Sequence, residues 1–246
     1  MKKIAFSLMG FFFFVWVWPQ RAYTQNAEEI LRKVDQVLYA SKDEQSHLKI
    51  ILTDKNGRQS ERQAVIKQKG NTMRLFRFTA PAADAGISFL SLPKNVMYLY
   101  LPAFGRERRI ASHVRNQKFA GTDFSYDDME AKLLEVKYDP VILKQDENKI
   151  TLKLTPKPGV QSEYSKTELT LDAHYFYPVS VDYFDRTGRK IKHTDYIFKK
   201  IGNYWNAFKI TMKDLRTGHQ TQLVSTDVKY DQGLSDSDFS VRALTR

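Results

Sequence analysis

The alternation of apolar and polar positions changes period once near the start of the chain and then holds. Over residues 26–41 the apolar side chains Ile30, Leu31, Val34, Val37 and Leu38 recur at three- and four-residue intervals. That spacing predicts one amphipathic helix with a single buried stripe. Asn26 stands where an N-cap is wanted, and Glu28 and Glu29 complement the positive end of the helix dipole. From residue 47 the period is two, and strands are predicted over 47–53, 63–68, 73–81, 87–92 and 96–101. Asp54-Lys55-Asn56-Gly57 joins the first two as a hairpin, because Asn-Gly readily takes positive φ. In the third strand Phe76 and Phe78 share a face with Arg74, while Met73 and Leu75 share the other with Arg77. These strands are richer in apolar residues on both faces than a half-wetted sheet requires. One face is therefore expected to be covered and the other to have apolar work of its own.

Residues 97–129 concentrate the large side chains. The run Met97 to Ile110 reads as an apolar strand, a turn containing Pro102 and Gly105, and a return strand carrying Arg106, Arg108 and Arg109. Phe119 to Met129 leads through aromatics into a helix predicted near 126–134, with Ser125 or Asp127 as cap and Asp128 and Glu130 in its first turn. Beyond residue 135 the strand period returns over 136–145, 149–155, 166–172, 178–184, 190–198, 204–214 and 220–230. Asp185-Arg186-Thr187-Gly188 and Leu215-Arg216-Thr217-Gly218 repeat the chemistry of the first hairpin turn. Strands of this length with short turns predict a mainly β chain, an antiparallel meander curved into a barrel or half-barrel. No composition break divides residues 26–246, which are expected to form one domain.

The first 25 residues are different in kind. Lys2 and Lys3 precede an apolar run from Ile4 to Trp18, broken only by Ser7 and Gly10, and Pro19 and small or polar residues follow. This is the layout of a cleaved secretory signal peptide, with the cut expected between residues 22 and 25. The run is shorter than the roughly 20 apolar residues of a spanning helix. The chain has no cysteine, which removes disulfides, thiol catalysis, thiolate metal sites and a lipid anchor at the mature N-terminus. A soluble exported protein is expected, in a bacterial periplasm. The formal net charge is +11, but the basic residues are spread along the chain, which fits an anionic membrane surface better than nucleic acid.

No catalytic template is satisfied. The five histidines are scattered, and His193-x-Asp195 offers at most two ligands where zinc takes three or four. Asp123, Asp127 and Asp128 lack the alternating oxygen ligands and glycine of a calcium loop. No metal, cofactor or enzyme activity is expected. Arg106, Arg108 and Arg109 read either as a site for a phosphate or carboxylate head group or as a solvated strand face. The aromatics Tyr98, Tyr100, Phe104, Phe119, Phe124 and Tyr126 read either as ligand lining or as ordinary core.

The run from LFRFTAPA (Leu75 to Ala82) through FLSLP (Phe89 to Pro93), MYLYLPAFGRERRI and FAGTDFSYDDM resembles the LolA-like outer-membrane lipoprotein-sorting family. The resemblance implies a strongly curved, incomplete antiparallel barrel with an apolar concave face and helices closing its mouth. It also implies a periplasmic carrier that takes up the acyl chains of a lipoprotein or other lipid, with an inner-membrane transporter and an outer-membrane acceptor as partners and transient contact with membranes. On that basis the cleft lining is expected to include Leu75, Phe76, Phe78, Phe89, Tyr98, Leu99, Tyr100, Leu101, Phe104, Phe119, Phe124, Tyr126 and Met129. Arg74, Arg77, Arg106, Arg108 and Arg109 are expected at its rim, and the helices over 26–41 and 126–134 as its lid. The protein is expected to act as a monomer. A lipid-sensing or adaptor domain that docks on an envelope transporter without shuttling is the alternative.

Overall fold

The computed structural model describes residues 26–245; the segment 1–25, on which the signal-peptide expectation falls, lies outside them. Helix α1 (Ala27–Leu38) forms as predicted, with the Asn26 side chain accepting the Glu28 amide at 3.2 Å and Ile30, Leu31 and Val34 fully buried. Six strands follow: β1 (Asp43–Thr53), β2 (Gln59–Lys69), β3 (Met73–Ala80), β4 (Ser88–Leu92), β5 (Val96–Leu101) and β6 (Arg106–Arg109). After a long crossover come α2 (Leu134–Lys137) and then β7 (Tyr138–Gln145), β8 (Lys149–Pro156), β9 (Lys166–Asp172), β10 (Pro178–Phe184), β11 (Lys190–Ile201), β12 (Tyr204–Asp214) and β13 (Gln220–Tyr230).

All thirteen strands join one antiparallel sheet in the order β6-β5-β4-β3-β2-β1-β13-β12-β11-β10-β9-β8-β7. The chain starts in the middle of the sheet, meanders out to β6, jumps to the opposite edge at β7 and meanders back to pair β13 with β1. The sheet is open, a half-barrel. Register shifts between neighbours such as Gln45/His47, Gln63/Ala64 and Ile197/Phe198 supply bulges, which bend strands and increase their twist.

This topology forces the crossover, residues 110–133, to travel from one edge to the other, and it does so across the concave face. Phe119, carried by that crossover, packs on Phe76 and Phe78 of β3 and Phe89 of β4 with ring centroids 5.3–5.7 Å apart. The helix expected over 126–134 does not form. Residues 126–129 make a single turn, and only Leu134–Lys137 is helical. Tyr126, Asp127, Met129, Glu130 and Ala131 are all buried, and a helix covering one face of a sheet cannot bury its whole circumference. The capping residues still do their local work. The Ser125 amide donates to Asp128 Oδ2 at 2.8 Å and the Asp128 amide to Ser125 Oγ at 3.1 Å.

Strand β3 shows why both faces are apolar. Phe76 and Phe78 point into the concave core, while Leu75 and Leu90 point outward and are buried under Phe239 and Leu244. These last two belong to the C-terminal turns Asp236–Phe239 and Val241–Thr245. Arg77, on the outward face, donates to the Ala243 carbonyl and to Ser88 Oγ, so it clips this tail to the sheet.

Candidate functional site

The concave face, α1 and the crossover enclose a cavity of about 340 Å³, within the range of about 300–1,000 Å³ usual for ligand sites. Its walls come from period-two positions on both halves of the sheet: Leu48 and Ile66 from one half, Leu169, Tyr183, Tyr196 and Ile210 from the other. Leu38 and Tyr39 at the end of α1, together with Phe124, Met129 and Leu134 of the crossover, form the cover. Burial raises the hydroxyls of Tyr183 and Tyr196, the latter to about 12, so both line the cavity as neutral groups.

The cover is fastened by polar contacts. Asp35 of α1 accepts the amides of Leu134 and Glu135 at 2.8 and 2.9 Å, and the Tyr39 hydroxyl donates to the Lys132 carbonyl at 3.1 Å. Asp127 receives Lys137 Nζ at 2.8 Å, with Glu130 and Arg115 completing a nearly buried ionic group. Asp123 is held by Lys118 at 2.9 Å, His219 at 2.6 Å and the Thr221 hydroxyl at 2.8 Å. Tyr164 donates to Asp128 at 3.1 Å and takes a hydrogen bond from the buried Lys192 at 2.9 Å. Asp123 thus ties the crossover to β13, Asp128 ties it to Tyr164 just before β9, and Asp127 ties it to α2. His193 is held by Asp182 and Asp195 on the strand surface.

Burial pushes the Asp35 carboxyl up to about 6, against the two amide donors that pull it down. In the unfolded chain it returns to the ordinary value near 3.8. Between those values the folded protein binds the extra proton, so this group's contribution to stability is fully present at low pH and is lost as pH rises through about 6. Asp35→Asn is expected to flatten that slope. Urea midpoints measured between pH 4 and 7 should fall more steeply for the natural protein than for the variant.

Of the residues singled out in the sequence, the cavity brings together Phe76, Phe124, Met129 and Arg74. Phe78, Phe89, Phe119 and Tyr126 form the solid aromatic core beside it. Leu99 packs partly buried on that core. Leu75, Tyr98 and Tyr100 lie on the opposite, outward face beneath the C-terminal tail, since β-pairing sets Leu75 beside Leu90 and Leu90 beside Tyr98. Leu101 ends β5 and Phe104 lies in the turn to β6, 59% exposed with the Arg108 guanidinium over its ring. Arg106, Arg108 and Arg109 stand exposed on edge strand β6, away from the cavity. Arg77 faces outward to the tail. Only Arg74 of the five arginines reaches the cavity, where it donates to Gln68 and to the Met129 carbonyl.

Most of the wall therefore comes from strands the sequence reading placed correctly without assigning them a site. The signal was present as alternate apolar positions such as Leu169/Leu171, Val181/Tyr183 and Ile210/Met212. The outer mouth carries a second aromatic group. Trp205 and Phe198, both cavity-lining, meet Tyr177 at 4.8 and 4.9 Å, and the half-exposed Tyr175 lies 4.9 Å from Trp205.

A family model described as "Uncharacterized protein" matches residues 70–246. No curated protein matches the chain. Among solved structures, an outer-membrane lipoprotein-sorting protein domain from Vibrio parahaemolyticus is 27% identical, with a TM-score of 0.81 over 90% of this chain and 100% of its own. A DUF1329 family protein from Desulfovibrio piger is 25% identical, with a TM-score of 0.83 over 89% and 97% of the two chains. A LolA superfamily protein from Nitrosomonas europaea, 22% identical, has the same fold, with a TM-score of 0.72 over 87% and 97%.

Proposed function

We propose, for a chain that belongs to the family whose model covers residues 70–246 and that is similar to an outer-membrane lipoprotein-sorting domain and shares the fold of a LolA superfamily protein, that it is a periplasmic carrier of acyl chains. The observation that carries this reading is the cavity, whose walls are apolar from both halves of the sheet and whose cover is a separate helix and crossover. An acyl chain in water costs about 0.8 kcal/mol per methylene. A carrier must therefore enclose the chain in transit and release it at a membrane. The cover here is held by the buried stripe of α1 as well as by polar contacts at Asp35 and Tyr39, and as it is separate from the strands, moving it aside opens the cavity without breaking the sheet.

The aromatic mouth supports transient contact with a membrane surface. Trp205, Tyr175 and Tyr177 have apolar bodies and polar tips, and Lys199 and Lys200 are exposed beside them. Such side chains suit the boundary between lipid tails and anionic head groups. Among the described residues no helix is long and apolar enough to cross a membrane. An inner-membrane transporter and an outer-membrane acceptor are the partners this role requires, and a monomer suffices for it.

The test is to purify the mature protein without detergent and record native mass spectra before and after organic extraction. Acyl-bearing mass should accompany the protein and return when lipid is added back. A stable protein that is empty and indifferent to added lipid would refute the reading. Transfer of labelled lipid between two membrane preparations distinguishes shuttling from an adaptor role, which gives none.

A further inference from the structure

The wall of the cavity between β7 and β11 carries hydroxyls among its apolar side chains. Tyr138 of β7, Thr167 of β9, Tyr183 of β10 and Tyr196 of β11 all line it. Strand pairing gathers them. Thr167 stands opposite Tyr183, and the Tyr183 side chain reaches β11, where the Thr194 hydroxyl donates to its oxygen at 3.4 Å. The Tyr183 hydroxyl has one proton of its own to give, and Tyr196 lies next in line. Burial raises the Tyr196 hydroxyl, and among its neighbours only Tyr183 acts the other way, as a donor to the Tyr196 oxygen does. The donors therefore run in one direction, from Thr194 to Tyr183 to Tyr196, and the row ends on the Tyr196 proton.

That proton meets no acceptor among the described residues, and neither does the proton of Tyr138, which lies near enough to act on Tyr196 through its charge. Neither hydroxyl is walled in. Ser91 Oγ and Asn206 Oδ1 are the fully enclosed side-chain polar atoms without a partner among the described residues. The Tyr138 and Tyr196 oxygens are not of that kind, and they open on the cavity that both residues line. Asp128 lies alongside, its carboxylate already engaged by the Tyr164 hydroxyl at 3.1 Å and the Ser125 amide at 2.8 Å. Beyond the effect of burial, the Asp128 charge raises the hydroxyls of Tyr138, Tyr183 and Tyr196 alike. The tyrosines thus keep their protons, and a second anion beside them would be repelled.

Building on the carrier reading, we propose that the Tyr196 and Tyr138 hydroxyls form a subsite for the carbonyl oxygen of an ester- or amide-linked acyl chain. Two open donors beside a fixed carboxylate suit a neutral acceptor, and in a linked acyl chain that acceptor is the carbonyl. The carbon chain then lies along Leu48, Leu169 and Ile210. A glycerolipid ester and the amide of an acylated peptide share this chemistry, whereas a free fatty acid brings the charge that Asp128 opposes.

Displacement of anilinonaphthalene sulfonate from the purified protein tests the proposal with four ligands of similar chain length: methyl palmitate, N-methyl palmitamide, hexadecyl methyl sulfide and palmitate. The ester or the amide should bind about tenfold more tightly than the sulfide, whose sulfur is a weak acceptor, the advantage of one added hydrogen bond. Whichever of the two binds better identifies the source. Tyr196→Phe keeps the ring and removes the donor, so it should erase most of the advantage while leaving the sulfide within about twofold. Infrared spectra of methyl palmitate labelled with carbon-13 at its carbonyl give a direct reading. The carbonyl stretch should be lowered on the natural protein and should shift back in Tyr196→Phe. Tyr138→Phe should shift it partway, and stands in if the first variant does not fold. A sulfide that binds as tightly as both carbonyl ligands, strongest binding of palmitate, or a carbonyl band unmoved by every folded variant would overturn the subsite and leave the carrier reading intact. Failure of all four ligands to bind would overturn the carrier reading itself.

Discussion

Replacing Ile210 by arginine is expected to give a folded protein that no longer retains lipid. Ile210 lies opposite Tyr196 on β11 and Leu223 on β13, with its side chain half-buried in the cavity wall. An arginine there can extend its guanidinium toward the mouth while its stem lies on the wall, so the sheet should survive. The cargo should not. A side chain that displaces four methylenes from apolar contact removes about 3 kcal/mol, more than a hundredfold in affinity. Native mass spectra of the variant should show protein without acyl mass, at unchanged far-ultraviolet circular dichroism. Tyr100→Arg provides the contrast, because Tyr100 lies on the outward face against the C-terminal tail. That variant should keep its lipid, and if it loses lipid while Ile210→Arg keeps it, the assignment of faces is wrong.

The largest loss of stability is expected from Lys137→Met. Lys137 is 8% exposed, and its ammonium lies 2.8 Å from Asp127 and 3.7 Å from Glu130. Burial alone would lower its pKa, but its anionic neighbours hold it above the ordinary lysine range. Methionine keeps the stem and deletes the charge, leaving two buried carboxylates with only Arg115, whose Nη1 is 3.8 Å from each. Removing one partner of a buried ionic group costs about 3–5 kcal/mol, mostly because the remaining charge is stranded. Urea unfolding should show this as a lower midpoint at unchanged slope. Adding Asp127→Asn should recover part of the loss, since the two substitutions share one interaction. A Lys137→Met protein as stable as its parent would mean that this group does not pin the crossover.

The strands were legible because each obeys a local rule. Asp54-Lys55-Asn56-Gly57, Asp185-Arg186-Thr187-Gly188 and Leu215-Arg216-Thr217-Gly218 all turn hairpins in the structure, with Gly57, Gly188 and Gly218 at positive φ. The two faces of β3 were also separable from sequence, since Arg74, Phe76 and Phe78 do part company with Leu75 and Arg77. What covers each face was not legible. Nothing in a period of two says that residues 234–245 fold back on Leu75 and Leu90, or that the crossover fills the concave side. The expected helix over 126–134 failed for the same reason. Its caps are local and formed, whereas the burial of Asp127 and Glu130 depends on Lys137 and Arg115. The candidate lining drew on the aromatic-rich stretch, yet much of the wall comes from plainer strands between residues 150 and 225, joined to it only by the closing pair β1 and β13.

The openness of the sheet has a colloidal consequence. Thirteen strands that do not close leave β6 and β7 with rows of unpaired backbone groups, each able to template a neighbouring molecule. On β6 that row is flanked by Arg106, Glu107, Arg108 and Arg109, all exposed. On β7 it is interrupted by Pro140 and by a bulge between Ile142 and Lys144. Two molecules meeting edge to edge at β6 would bring six guanidinium groups together across one ladder. Like charge across that ladder opposes edge-to-edge pairing of two copies, and salt that screens the arginines shortens the distance over which they repel.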